Sequence, residues 1–206
     1  MRYNFSVENA SPVSVYSRVI SIIPAGSRVL DVGCDTGNLG RAIKANGSVV
    51  DGIEMDPEAA ALAAEKIDRV TCGSIEDKEV LMGLGRLYDY IIFADVLEHL
   101  AYPERTLINI KPFLKRGGRV IASLPNVANF RVRLGLLMGR FEYTETGILD
   151  RTHLRFFTKK TGQQLFIRSG YRLIDLKPAA THIPGITLEL WPEFLATRFV
   201  VIAEAE

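Results

Sequence analysis

The residues most able to do chemistry are gathered in one turn, Asp31-Val32-Gly33-Cys34-Asp35-Thr36-Gly37-Asn38-Leu39-Gly40. It follows a short apolar run at 28–32. Glycines at such a place let the backbone close on a ligand, and the helix that begins after them offers N–H groups to an anion. A second feature lies 21 positions beyond Gly33, where Glu54 ends the next apolar run. A carboxylate at that distance can accept both hydroxyls of a ribose. Together the two features predict a nucleoside lying across the tips of the first two strands.

The spacing then selects among nucleosides. A dinucleotide site needs G-x-G-x-x-G, whereas here the glycines run Gly33-x3-Gly37-x2-Gly40 with Asp31 before them. A carboxylate at Asp31 would repel a pyrophosphate but suits the amino group of an amino acid. The pattern therefore favours S-adenosylmethionine, whose methionyl end is a zwitterion, over a nicotinamide dinucleotide. An ordinary tight turn would account for the glycines but not for Glu54.

Two other clusters can move protons or hold charge. Asp95, Glu98 and His99 fall at i, i+3 and i+4, so a helical turn brings them together. Such a set can bind a divalent cation. We take the simpler reading: the stretch anchors the helix that follows it, without metal. His153, in Asp150-Arg151-Thr152-His153-Leu154-Arg155-Phe156-Phe157, titrates near neutrality and is a candidate base for a hydroxyl nucleophile. Arg131, Arg133, Arg140, Arg151 and Arg155 can hold a phosphate or carboxylate, or can form a salt-bridged cover with Glu142, Glu145 and Asp150. Asn126 is a further candidate for the pocket. Methyl transfer from a sulfonium mainly demands alignment, and a base is needed only if the nucleophile must lose a proton.

These residues must be positioned by a folded chain of 206 residues, of which 48% are apolar and 24% charged. That length suggests one domain with a full core. The 25 Lys+Arg against 24 Asp+Glu argue against nucleic acid or an anionic membrane as a bulk electrostatic partner. No apolar run exceeds six residues, far short of a membrane helix, and the first residues do not read as a secretory signal. Cys34 and Cys72 stand apart without metal-ligand spacing, which points to a reducing cytoplasm.

Strand-like and helix-like periodicities alternate along the chain, the pattern of an α/β fold. Ser11-Pro12 predicts a helix start, ended by Pro24-Ala25-Gly26. Strands are predicted at 28–32, 49–53, 70–72, 88–94, 119–123, 171–177 and 198–205. Helices are predicted at 38–45, after Asp56-Pro57-Glu58, after Pro103, and at 159–169. Residues 125–158 break the rhythm with arginines, aromatics and glycines, and read as a helical insertion covering the acceptor. Trp191 reads as core or edge packing, His182 as surface, and Cys34 as a small packing residue. Tyr3 and Asn4 are placed either over the cofactor or in a frayed terminus.

At this point the chain resembles the class I S-adenosylmethionine-dependent methyltransferases over most of its length. Asp31-Val32-Gly33-Cys34-Asp35-Thr36-Gly37 looks like their D-x-G-x-G-x-G signature, with Asp35 in place of the middle glycine. Gly52-Ile53-Glu54-Met55-Asp56 is similar to their second motif, implying Glu54 on the ribose and Met55 against the adenine. Gly73-Ser74-Ile75-Glu76-Asp77 implies that Ser74 and Ile75 border the adenine, Ser74 replacing a common acid. Phe93-Ala94-Asp95-Val96-Leu97-Glu98-His99-Leu100 is similar to the fourth motif, placing Ala94 and Asp95 beside the transferred methyl. The resemblance implies a Rossmann-like doubly wound sheet in the order 3-2-1-4-5-7-6, with the last strand antiparallel. The implied cofactor contacts are Asp31, Gly33, Cys34, Asp35, Gly37, Asn38, Glu54, Met55, Ser74, Ile75, Ala94 and Asp95; His153, His99 and Asp95 are the catalytic candidates.

The Asp95–His99 stretch is similar to the ubiquinone-pathway O-methyltransferases. Residues 125–157 resemble small bacterial methyltransferases of glycan systems, which implies O-methylation of a sugar or related hydroxyl. They are also partly similar to methionine-biosynthesis accessory proteins of the same fold. That likeness implies the rival class, a cofactor-binding module that works with a protein partner.

Overall fold

The computed structural model describes residues 14–85, 87–179 and 191–206. Ser11, Pro12, Tyr3, Asn4 and His182 lie outside the described residues. Helix α1 (Val15–Ile22) is capped by Ser14, whose hydroxyl accepts from the Ser17 N–H at 3.1 Å. Then come β1 (Arg28–Val32), α2 (Asn38–Lys44), β2 (Val49–Glu54), α3 (Pro57–Ala64), β3 (Arg69–Cys72) and a short α4 (Lys78–Met82). They are followed by β4 (Tyr88–Ala94), α5 (Pro103–Ile110), β5 (Leu114–Pro125) and α6 (Phe130–Leu137). Helix α7 (Lys159–Arg168), β6 (Tyr171–Ala179), α8 (Pro192–Leu195) and β7 (Arg198–Ala205) complete the order. Helix α3 opens on its sequence signals: Asp56 accepts from the Glu58 N–H at 3.0 Å, and Pro57 takes the first position, where its missing donor costs nothing.

The seven strands form one sheet in the order β3-β2-β1-β4-β5-β7-β6, with β7 antiparallel to both β5 and β6. Both the Rossmann-like class and the strand order agree with the expectation. Successive residues of a strand face opposite sides, and this divides the core in two. Leu30, Val32, Ile91 and Phe93 pack with Leu107 and Ile110 of α5 and with Leu165 and Phe166 of α7. Val29 and Ile92 pack on the other face with Val15 and Val19 of α1, Leu39 and Ile43 of α2, and Ala63 of α3. Asp31, two residues after Val29, falls on this second face. Burial on both sides explains why the central strands read as unbroken apolar runs.

The short helices α4 and α8 were not predicted, and two further regions depart from the pattern read in the sequence. Strand β5 starts at Leu114 rather than Arg119, because the Gly117-Gly118 pair is absorbed as an irregularity within the strand: Tyr88 pairs with Leu114, Tyr90 with Arg119. Residues 125–158 contain one helix, α6, instead of a helical layer; Gly139 and Gly147, at φ +72° and +101°, turn the chain beyond it. Trp191 is 68% exposed and packs edge-on against Phe194. Among the described residues no helix is long and apolar enough to cross a membrane.

Candidate functional site

At the carboxyl end of β1 the turn is tied to the neighbouring strand. The N–H groups of Gly33 and Cys34 both donate to the Ile53 carbonyl, at 2.8 and 3.1 Å. This brings the turn against Glu54, whose Oε2 accepts from the Asp35 N–H and Oε1 from the Asp56 N–H, each at 2.9 Å. A carboxylate has about four acceptor sites, so Glu54 keeps lone pairs for two hydroxyls while the backbone holds it still. Gly33 stands at φ +68° and is exposed, and a Cβ there would lie 2.7 Å from Val96 Cγ2. Gly37 stands at φ +75°, with a Cβ 3.0 Å from the Ala63 backbone. Asp35, the departure from the signature, also adopts positive φ, at +47°, a conformation that aspartate tolerates better than most residues.

Asp31 is 1% exposed, and its Oδ2 has no hydrogen-bond partner among the described residues. Burial first, and then the charge of Glu54, push its carboxyl up to about 7. An uncompensated buried carboxylate costs several kcal/mol, so Asp31 keeps a proton up to about pH 7. Tyr16 of α1 stands near this corner: burial, then the charges of Asp31, Asp95 and Asp35, raise its phenol. No local signal marked Tyr16, which reads as part of the apolar face of α1. These residues fit S-adenosylmethionine. Asp31 can receive the ammonium, the glycines leave the backbone open where side chains would intrude, and Glu54 can take the ribose.

The remaining turn residues are more occupied. Cys34 is buried, with its sulfur against Gly52, where a Cβ would lie only 2.6 Å away. Burial, first, pushes the thiol up, so it is an inert packing group. Asn38 donates to Thr36 Oγ1 and accepts from Lys66 Nζ. Met55 is 73% exposed beside Glu54, Ser74 is half-buried, and Ile75 belongs to the core.

At the end of β4, half-buried Ala94 leads to Asp95, which stands at φ +56° and is locked from three sides. Its N–H donates to Ser123 Oγ at 2.8 Å, Ser123 donates back to Oδ1 at 2.5 Å, and Arg198 Nε donates to Oδ2 at 2.7 Å. Ser123 and Arg198 were not foreseen, because only the β5–β7 pairing brings them here. Glu98, His99 and His153 meet instead, offering ligand atoms within 4.8 Å of one another. Glu98 is fully buried, with both carboxyl oxygens unpartnered among the described residues. Burial, then the charge of Asp95, raise it well above the carboxylate range. His153 is buried too, its Nδ1 3.1 Å from the Ile148 carbonyl and its Nε2 4.0 Å from Glu98. Burial first, then His99, lower its pKa, so it is neutral at pH 7. His99 is exposed and meets the His153 ring edge-on at 4.9 Å; its Nδ1 lies 3.3 Å from the Thr152 carbonyl.

The segment bearing His153 is clasped at both ends. Leu154 and Arg155 donate their N–H groups to the Glu98 carbonyl, and Arg155 also donates to Ala101. Asn126 and Asn129, both fully buried, donate to the carbonyl of Ala196. Of the five arginines, Arg151 pairs with Glu145 and Arg155 holds Ala101, so both serve the cover itself.

A sheet in this order, with a glycine turn and a ribose-spaced acid at its tips, defines the class I methyltransferase architecture. A methyltransferase-domain family matches residues 8–176. The chain belongs to the S-adenosylmethionine-dependent methyltransferases, the family and cofactor class expected from the sequence. It is 29% identical over 156 residues to a ubiquinone biosynthesis O-methyltransferase of Coxiella burnetii, a match covering 73% of this chain. The match spans 66% of that relative's length. The fold is shared with a methyltransferase of Thermotoga maritima described as a possible histamine N-methyltransferase (TM-score 0.67, 18% identity, 95% of this chain and 90% of that one). It is also shared with the Synechocystis magnesium protoporphyrin IX methyltransferase bearing bound S-adenosylhomocysteine (TM-score 0.64, 17% identity, 93% and 82%).

Proposed function

We propose that this chain, as a single domain, transfers the methyl group of S-adenosylmethionine to a hydroxyl of a small molecule, a sugar or a related alcohol. Residues 125–158 cover the acceptor. The observation that carries the reading is the buried, unpartnered Asp31 carboxyl oxygen beside the Gly33–Gly37 turn and Glu54. The likeness to an O-methyltransferase supports oxygen as the acceptor atom. The two free thiols, Cys34 buried and Cys72 exposed, are compatible with a reducing cytoplasm.

The cofactor supplies a methyl group on a sulfonium, already a good leaving group. Asp31 receives the ammonium, and Glu54, braced by two backbone donors, holds the ribose. Asp95 is half-buried, and Arg198 and Ser123 occupy its oxygens, so it shapes the corner. His99 is the proton acceptor in this reading. Its Nδ1 lies 3.3 Å from the Thr152 carbonyl, and with the proton on that nitrogen Nε2 carries the free lone pair. His153, buried and neutral, supports the His99 ring as a positioning residue. Replacing His99→Ala is expected to slow labelled-methyl transfer roughly 10²-fold, the lower range for a general base, with affinity for S-adenosylhomocysteine unchanged. An undiminished rate would overturn the base role. A cofactor titration giving no heat and no thermal protection would overturn the whole reading.

The closeness of Glu98, His99 and His153 favours a second reading, in which the same three groups hold a divalent cation that orients the acceptor hydroxyl.

A further inference from the structure

A cleft of about 360 Å³ opens where the cover meets α7, away from the glycine turn. Its lining includes Asn126, Arg133, Lys159, Lys160, Gln163 and Glu193. Three cations from two separate elements thus face one carboxylate. Glu193 pairs with Lys159 at 3.1 Å, and an excess of two positive charges remains. Lys159 and Lys160 occupy the first turn of α7, where the helix dipole disfavours cations. Arg133 donates through Nε to the Ala128 carbonyl and lies over the Phe194 ring, which holds its guanidinium beside the cleft.

The cleft lies just beyond the strand end that holds Asp95. Asn126 follows three residues after Ser123, which holds Asp95, and the chain between them is extended, bridging to Phe157. At about 3.3 Å per residue the separation is roughly 10 Å.

We propose that this cleft anchors a phosphate group carried by the methyl acceptor. The proposal rests on the methyl-transfer reading and names its substrate class, a phosphorylated alcohol or sugar. A phosphate monoester, with a charge near −2 at neutral pH, matches the excess of two cations. Leu134, Leu137 and Met138, on or just after the helix that bears Arg133, are exposed, so the phosphate can belong to a soluble ester or to a lipid headgroup.

The test uses the full chain, titrated with inorganic phosphate at constant ionic strength against a chloride control. Binding is followed by calorimetry and thermal shift. Saturable millimolar binding is expected, weakened at least tenfold by Lys160→Glu, which alters an exposed side chain outside the core. Glu193→Gln, which frees Lys159, is expected to tighten binding about threefold; damage to the fold would not produce such a gain. Sedimentation with phosphatidylcholine vesicles, with and without phosphatidylglycerol, assigns the source. Capture only by the anionic vesicles, lost in Lys160→Glu, marks a headgroup, whereas phosphate binding without capture marks a soluble ester. Phosphate binding no better than chloride together with no vesicle capture, or binding indifferent to both variants, overturns the proposal. A parallel titration with S-adenosylhomocysteine separates the two readings. If it binds while neither phosphate nor anionic vesicles do, the cleft assignment falls alone; if only phosphate or the vesicles bind, the methyl-transfer reading falls instead.

Discussion

Glu54 and Asp31 lie on neighbouring strands, Asp31 paired with Gly52 two residues before Glu54, yet they are prepared differently. Glu54 is satisfied by the Asp35 and Asp56 N–H groups before any ligand arrives, whereas Asp31 Oδ2 is not. Replacing Glu54→Ala is therefore expected to act twice. It should weaken S-adenosylhomocysteine binding by about 1.5–3 kcal/mol, as for hydrogen bonds to a charged group. It should also lower the melting temperature, because two backbone donors lose their acceptor. Calorimetry and thermal melts check both, and an unchanged affinity removes Glu54 from the ribose. Asp31 couples its site to pH. Folded, it keeps a proton up to about pH 7, while the unfolded chain releases it near the ordinary 3.8. The folded state thus binds more protons inside that window, and stability falls as pH rises through it. An ammonium ligand reverses the preference. Binding of S-adenosylhomocysteine near pH 6 is expected to release a proton and at pH 8 none, measured by calorimetry in buffers of different ionisation enthalpy. In Asp31→Asn the release should vanish.

Among the elements, the glycine turn shows how closely ligand access and packing are joined. Its two glycines are needed for different contacts: Gly33 against Val96 after β4, Gly37 against Ala63 of α3. Gly33→Ala combines positive-φ strain, about 1 kcal/mol, with a Cβ 2.7 Å from Val96 Cγ2. The expected result is a loss of about 2–4 kcal/mol in denaturant unfolding, as for overpacking added to backbone strain. A melt equal to that of the parent chain would show that β4 can yield. The turn was legible in the sequence because glycine, aspartate and strand signals sit side by side. The lock on Asp95 was not, since Ser123 and Arg198 come from strands 75 positions apart that meet only by antiparallel pairing. For the same reason the sequence placed Asp95, Glu98 and His99 in one cluster, while the fold ties Asp95 to β7 and brings His153 to the other two.

Taken as a whole, the molecule exposes two rival uses of one architecture, an enzyme and an accessory module that only binds the cofactor. The purified chain, given labelled S-adenosylmethionine and a cell extract, is expected to transfer label by itself. Absence of label would favour the accessory role, and label lost on chelation and restored by magnesium would favour the cation at Glu98, His99 and His153. The α/β class, the strand order implied by family resemblance, and the glycine turn with its distant acid were already determined by the sequence. These features depend on local periodicity, on caps and on residue spacing along a chain whose consecutive elements are neighbours. Tertiary structure alone decided which histidine faces outward, which carboxylates are buried without partners, and where the cationic cleft opens. Exposure, desolvation and charge pairing arise from contacts between segments far apart in the chain, and no local pattern encodes them.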